Sequence, residues 1–116
     1  MRYVRRWDDS RLGPLCLDAV RAIHQPPEQF RISPYRYDAG VAFPGAARAG
    51  HRYLLAGACA FTFGAETWEL RAGDIAELPE GSYQFRVLGA QPVEFVAVWE
   101  LPPEVWSRPS ATESGL

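Results

Sequence analysis

The sequence contains no lysine and no asparagine, and it has only two histidines, His24 and His51. The absence of lysine excludes Schiff-base catalysis, and the absence of asparagine excludes N-linked glycosylation within this sequence. All twelve basic residues are therefore arginines. Because the guanidinium is a planar fork that matches carboxylate and phosphate oxygens, each cation is suited to bidentate contacts with an anion.

Several other features are also missing. No apolar run approaches the roughly 20 residues that cross a bilayer, and the N-terminus lacks the apolar stretch of a signal peptide. We therefore expect a cytoplasmic protein that does not enter a membrane. The formal net charge is -2 and the arginines are scattered, so no nucleic-acid partner is expected. Cys16 and Cys59 are far apart, and we expect both to be reduced.

The 116 residues, of which 47% are hydrophobic and 22% charged, are typical of one globular domain. We place this domain at residues 1–107, with its central barrel at about 29–101. The polar stretch 108–116 is predicted to be a flexible tail.

The N-terminal third combines a short predicted strand, residues 1–7, with a predicted helix. Apolar residues recur with a helical period, although the segment is short enough that a strand remains an alternative. Pro26 and Pro27 end any such helix because proline lacks a backbone N–H. The periodic positions are Leu12, Leu15, Cys16, Ala19, Val20 and Ile23.

Short extended segments follow one another closely from residue 29 onward, separated by turn signals. Gly64-Ala65 suits a two-residue hairpin turn, and Gly73-Asp74 marks another turn. Residues 43–50 are small and predict a loop. Many short strands with turns between them indicate an all-β sandwich or barrel.

Two landmarks within residues 40–101 resemble the cupin superfamily. The first is Tyr53-Leu54-Leu55-Ala56-Gly57, which looks like the strand and glycine that close the first cupin motif. The second, residues 73–81, is similar to the start of the second motif, a Gly-Asp turn, a strand and then Pro79-Glu80-Gly81. The resemblance implies an all-β double-stranded β-helix (a cupin or jelly-roll barrel), here with a short N-terminal helix. It also implies a central pocket and a homodimer.

The resemblance breaks at the metal ligands, which in most cupins are three histidines and a glutamate. The glutamate position falls on Gly50, two histidine positions fall near Ala46 and Arg48, and the last falls on Tyr83 or Gln84. Tyr83 is preferred, because it places Phe85 and Val87 on the same inward face of a strand. Two histidines in the whole chain cannot supply three imidazoles, so we expect no metal and no cofactor.

The side chains left at the barrel mouth suggest two functions. The first is metal-independent binding of a small metabolite, anions included, in the barrel pocket. The alternative is a metal-free isomerase, epimerase or cyclase in which His51 and Tyr83 transfer protons. If side chains alternate along this strand as the cupin resemblance implies, Arg52 points into the barrel and His51 points outward. A shift of the alignment by one residue would exchange the two directions. The predicted ligand-binding residues are Tyr35, Tyr37, Arg48, Arg52 and Phe85.

Each of these residues also has a structural interpretation. His51 is equally typical of a barrel rim or a dimer interface, and the arginines are often paired with glutamates such as Glu77 or Glu94. Tyr83 is also typical of a packed aromatic with a satisfied hydroxyl. A third possibility is a barrel filled by its own side chains, with a purely structural or interaction role.

Overall fold

We describe residues 4–106 of a computed structural model, which contain nine β-strands and three short α-helices. The strands are β1 (Val4–Arg6), β2 (Phe30–Tyr37), β3 (Ala42–Ala47), β4 (Gly50–Ala56), β5 (Ala58–Phe63), β6 (Glu66–Arg71), β7 (Asp74–Leu78), β8 (Gly81–Leu88) and β9 (Val93–Glu100). The helices are α1 (Asp9–Leu12), α2 (Leu17–Ile23) and α3 (Pro103–Trp106), and a 3₁₀ turn covers Pro27–Gln29. The predicted tail, 108–116, lies outside the described residues.

The strands form two antiparallel sheets that face each other. One sheet has the order β1-β7-β4-β9-β2, and the other has the order β3-β8-β5-β6. The non-consecutive neighbours mean that the chain crosses repeatedly between the sheets, as in a jelly roll. The predicted all-β jelly-roll barrel is therefore confirmed.

The main core lies between the two sheets and follows from alternation along each strand. On β8, Phe85 and Val87 are buried, whereas Gln84 and Arg86 are exposed. The inward residues of the two sheets, including Leu54 and Trp68, form one continuous cluster. Burial of each large apolar side chain contributes about 1.5–3 kcal/mol to folding.

A second core covers the outer face of the five-stranded sheet. Trp7 and Val20, from the N-terminal segment, pack there against Tyr53 and Val98 of the sheet. At the end of α2, His24 Nε2 lies 2.8 Å from the hydroxyl oxygen of Tyr53. The N-terminal segment therefore covers a sheet face that would otherwise expose apolar side chains to water.

The N-terminal helix starts later than its apolar period suggests. α2 begins at Leu17, and Leu12 belongs to the separate turn α1, where the Asp8 carboxylate accepts a hydrogen bond from the Arg11 N–H. Gly13 takes a positive φ of 79° between them. Because proline follows this glycine, the chain changes direction there and one continuous helix cannot form.

The prediction of a loop over residues 43–50 is wrong except at Arg48 and Ala49, which connect β3 to β4. Ala42–Ala47 is strand β3, which pairs with β8 so that Gly45 lies opposite Tyr83 and Ala46 opposite Ser82. Small residues have low strand propensity by themselves. Here they are needed, because a Cβ on Gly45 would lie 2.7 Å from the Tyr83 ring and hydroxyl. The bulk of Tyr83 on β8 therefore explains the small residue on β3.

The turn at Gly73-Asp74 fastens β1 to the edge of the sheet. Gly73 has a φ of 93°, which glycine adopts at no steric cost. Asp74 Oδ2 accepts a hydrogen bond from the Arg71 N–H at 2.9 Å, and Asp74 Oδ1 forms an ion pair with Arg6 Nη1 at 2.8 Å. Between residues 4 and 106, no helix is long and apolar enough to span a membrane.

Candidate functional site

Strand β4 points one buried cation into the barrel. His51 and Tyr53 lie on the outer face of the sheet, whereas Arg52 and Leu54 point inward. Only 6% of the Arg52 surface is exposed to solvent. The inward phase of Arg52 agrees with the phase that the cupin resemblance implies.

Arg52 has no carboxylate partner among residues 4–106, since none lies within ion-pair distance of its guanidinium. Its Nη1 donates a hydrogen bond of 3.3 Å to the carbonyl oxygen of His51. Burial lowers the pKa of Arg52, and the phenolic oxygens of Tyr83, Tyr35 and Tyr37 partly offset this lowering. The guanidinium is therefore a buried cation whose described polar contacts are a backbone carbonyl and phenols.

Around Arg52 lies a cavity of about 240 Å³, which we call the barrel cavity. The predicted ligand-binding residues and Tyr83 are brought together in its wall. Tyr35 and Tyr37 are stacked, with ring centroids 6.2 Å apart and planes inclined by 7°. Arg48 is exposed and stands at the rim, whereas Arg52 is buried. The residues that were predicted from the sequence and also line the barrel cavity are Tyr35, Tyr37, Arg48, Arg52, Tyr83 and Phe85.

Aromatic rings form most of the remaining wall. Phe43, Phe95 and Trp99 also line the barrel cavity, and Phe43 packs against Phe85 with ring centroids 5.0 Å apart. None of these three residues was predicted from the sequence to line the pocket. The period-two pattern of β9 marks Phe95 and Trp99 as one face, but only the pairing of β9 with β2 and β4 shows that this face borders the cavity.

His51 does not share the barrel cavity with Tyr83. It lies on the opposite face of the five-stranded sheet, where His51 Nε2 is 3.6 Å from Glu77 Oε2. The ring centroids of His24 and His51 are 6.3 Å apart. Burial lowers the pKa of His51; Arg5 lowers it further and Glu77 opposes both effects. The two residues predicted to transfer protons together are therefore separated by the sheet.

The barrel cavity does not fit a cupin-type metal ion. In place of imidazoles and a carboxylate it presents two guanidiniums and three phenols, and guanidinium groups repel cations. At Gly50, where the cupin resemblance places a glutamate, a Cβ would overlap the Val98 carbonyl and lie 2.9 Å from the Trp99 Cβ. Residues 4–106 also contain no cluster of three His, Cys, Asp or Glu side chains arranged to hold a metal.

The buried thiol of Cys59 adds no reactivity to the cavity. Cys59 is fully buried and free, and burial raises its pKa to about 12, against a small opposite effect of Arg52. A thiol with so high a pKa is a poor nucleophile at neutral pH. Cys59 therefore acts as a small apolar residue of the core.

Comparison with known proteins shows the fold. No protein-family model matches the chain, and no curated protein is similar to it in sequence. Among solved structures, the protein NMB1881 from Neisseria meningitidis matches 75% of this chain and 98% of its own, with 13% identity and a TM-score of 0.57.

Three further solved structures share the architecture at low identity. The cupin domain of Cnp3 from Schizosaccharomyces pombe matches 73% of this chain and 60% of its own, with 16% identity and a TM-score of 0.57. A putative ethanolamine utilization protein, EutQ from Salmonella typhimurium, matches 64% and 58%, with 22% identity and a TM-score of 0.54. Oxalate decarboxylase from Bacillus subtilis, which has Mn(II) centres, matches 69% and 24%, with 15% identity and a TM-score of 0.55. The chain therefore has the fold of the cupin superfamily.

Proposed function

We propose that the protein binds a small organic anion in the barrel cavity and that it does so without a metal ion. The observation that carries this proposal is Arg52, a cation that is 6% exposed and has no carboxylate partner among the described residues. Burial of an unpaired charge is costly, so buried charges in proteins are normally paired. A ligand carboxylate or phosphate would supply the missing partner.

The shape of the guanidinium favours a planar oxyanion. Arginine can donate two parallel hydrogen bonds to a carboxylate, and such charge-assisted pairs are about twice as strong as neutral hydrogen bonds. The hydroxyls of Tyr35, Tyr37 and Tyr83 lie in the same wall and can donate to further ligand oxygens. Arg48 at the rim adds a second positive charge, which steers anions toward the opening.

The size and lining of the cavity restrict the ligand. A volume of about 240 Å³ corresponds to roughly eight water molecules in the liquid, at about 30 Å³ each. The aromatic walls favour a flat, partly apolar body attached to the anionic group. A compact ligand such as an aryl carboxylate meets both requirements.

Binding is favoured over the alternative enzymatic function. Proton transfer by His51 and Tyr83 requires both groups to reach one substrate. His51 lines the outer side of the sheet and Tyr83 lines the barrel cavity, so the two groups do not face a common cavity. The observations therefore support ligand capture in the barrel.

A thermal-shift titration tests the proposal with benzoate, benzamide and benzyl alcohol as matched probes. Benzoate should raise the melting temperature in a concentration-dependent way, because a ligand of the native state stabilises it. The two neutral probes should have little effect. Arg52→Met should abolish the benzoate response, Arg48→Met should weaken it, and Arg86→Met, on the exposed face of β8, should leave it unchanged.

Two outcomes would contradict the proposal. One is an unaltered benzoate response in Arg52→Met, which would place the anion elsewhere. The other is a wild-type protein whose melting temperature responds to no carboxylate or phosphate in a metabolite panel. Metal analysis of the purified protein checks the second half of the proposal, and stoichiometric manganese, iron or zinc would overturn it.

A further inference from the structure

The outer face of the five-stranded sheet carries a second cavity, which we call the outer groove. Its volume is about 430 Å³, larger than that of the barrel cavity. It lies where the end of α2 meets strands β4, β7 and β9, and it contains both histidines of the chain. The lining residues used below are His24, Phe30, His51, Glu77, Trp99 and Glu100.

The charge of the outer groove is opposite to that of the barrel cavity. Glu77 and Glu100 line the groove, and none of its described lining residues is an arginine. The barrel cavity has two arginines and no acidic residue among its described lining residues. Because inward and outward residues alternate along β4 and β7, Arg52 points into the barrel whereas Glu77 points into the outer groove.

The two imidazoles add hydrogen-bond acceptors rather than positive charge at neutral pH. Burial lowers the pKa of His24 and that of His51, and each of these shifts has burial as its largest cause. His24 already contacts the Tyr53 hydroxyl at 2.8 Å, whereas His51 faces Glu77 at 3.6 Å, which is too long for a hydrogen bond. The Glu77 side chain is 64% exposed and can therefore reorient toward a ligand.

The apolar part of the groove consists of aromatic and branched side chains. Phe30 and Trp99 stand in its wall and Val98 forms part of its floor. Aromatic faces attract cations through the ring quadrupole as well as through apolar contact. One cation lies nearby, since Arg5 acts electrostatically on His51 from outside the groove. The single positive charge of Arg5 is outnumbered by the two negative charges of Glu77 and Glu100.

We propose that the outer groove is a second ligand site, distinct in charge from the barrel cavity, that takes an organic cation of the arylalkylamine class. The ammonium group is held by the Glu77 and Glu100 carboxylates, with the His51 imidazole as an acceptor, and the aryl group lies against Phe30 and Trp99. Trp99 lines both cavities, so the two sites adjoin. This site does not depend on the proposed barrel function, because its ligand has the opposite charge and is held by Glu77 and Glu100 rather than by Arg52.

NMR of the histidine side chains tests this site directly. The chain has only two histidines and both line the groove, so every imidazole C–H signal reports on it. Full-length protein with ¹³C-labelled histidine is titrated with benzylamine at pH 7.5, and in parallel with benzyl alcohol and benzoate. We expect benzylamine to shift both imidazole signals in a saturable way and the neutral alcohol to bind more weakly. Benzoate should leave the signals unchanged in Arg52→Met, which lacks the barrel anion site and its contact with the His51 carbonyl oxygen.

Carboxamide variants show which groups provide the affinity. Glu77→Gln and Glu100→Gln should each weaken benzylamine binding by about two- to fivefold, the range for exposed ion pairs, and the double variant by about tenfold. Glu69→Gln, on β6 of the other sheet, is the matched control and should keep wild-type affinity. Arg52→Met should also keep it, which separates this site from the barrel cavity.

Three results would overturn the proposal. The imidazole signals could fail to respond to millimolar benzylamine. Benzyl alcohol could bind as tightly as benzylamine, in which case the groove recognises only apolar groups. The double carboxamide variant could retain wild-type affinity, in which case the carboxylates do not hold the ammonium group.

Discussion

Replacing Arg52 with methionine should make the free protein more stable while removing its anion site. Methionine retains the unbranched apolar stem of arginine and removes a buried positive charge that has no carboxylate partner among residues 4–106. Replacement of buried charged groups by apolar residues of similar volume is often neutral or stabilising, by up to about 4 kcal/mol. Because the guanidinium borders a cavity and is partly hydrated, we expect a gain of about 1–2 kcal/mol in the free energy of unfolding.

For a domain of this size, such a gain corresponds to a rise in melting temperature of about 4–8 °C. Scanning calorimetry and urea unfolding followed by circular dichroism measure the two quantities independently. Arg48→Met and Arg86→Met serve as controls. Both arginines are exposed, so both variants should stay within about 0.5 kcal/mol of the wild type.

The order of stability should reverse when the ligand is present. A ligand at 100 times its dissociation constant stabilises the native state by about 2.7 kcal/mol. Wild-type protein should therefore exceed Arg52→Met in saturating ligand and fall below it without ligand. A loss of about 1 kcal/mol or more in the ligand-free variant would refute the reasoning, since it would mean that Arg52 stabilises the fold through contacts already made in the free protein.

Four further predictions concern the rest of the molecule. Because burial lowers the pKa of His24 and His51, the unfolded chain binds protons before the folded protein does as the pH falls. The free energy of unfolding should therefore be highest above the ordinary histidine pKa of 6.5, decline below it and level off below the pKa values of the folded state. The double variant His24→Gln/His51→Gln should lose this decline, and a decline that persists in it would contradict the assignment to the two histidines. Leu54→Ala, at a fully buried position, should lower the free energy of unfolding measured in urea by about 3 kcal/mol, whereas the exposed Leu12→Ala should lower it by less than about 0.5 kcal/mol. Equal losses would contradict the assignment of Leu54 to the core. Gly50→Glu should lower the melting temperature and bind no manganese by elemental analysis, because Val98 and Trp99 occupy the space of its side chain; a stable, manganese-loaded variant would show that the site can be rebuilt. The homodimer remains a prediction, and sedimentation velocity that finds only monomer at micromolar concentration would contradict it.

The sequence by itself determined the fold class and the faces of the strands. Turn residues such as Gly64 and Gly73 stand where the backbone needs a positive φ, and this requirement is local. The alternation of Phe85 and Val87 with polar residues assigns one face of β8 to the core, again from neighbours in the chain. The inward direction of Arg52 followed from the same alternation of side chains along β4, once the cupin resemblance indicated which residues of that strand face the barrel.

Only the tertiary structure decided which side chains meet. The small residues of β3 predicted a loop, but their pairing with β8 makes them a strand, and their small size leaves room for the Tyr83 ring. The packing of α2 on the outer sheet brought His24 to His51, although the two lie 27 positions apart in the chain. The lack of a carboxylate partner for Arg52 among the described residues likewise depends on every strand around it. Such contacts depend on pairing register and sheet packing between distant segments, and no local pattern in the sequence specifies them.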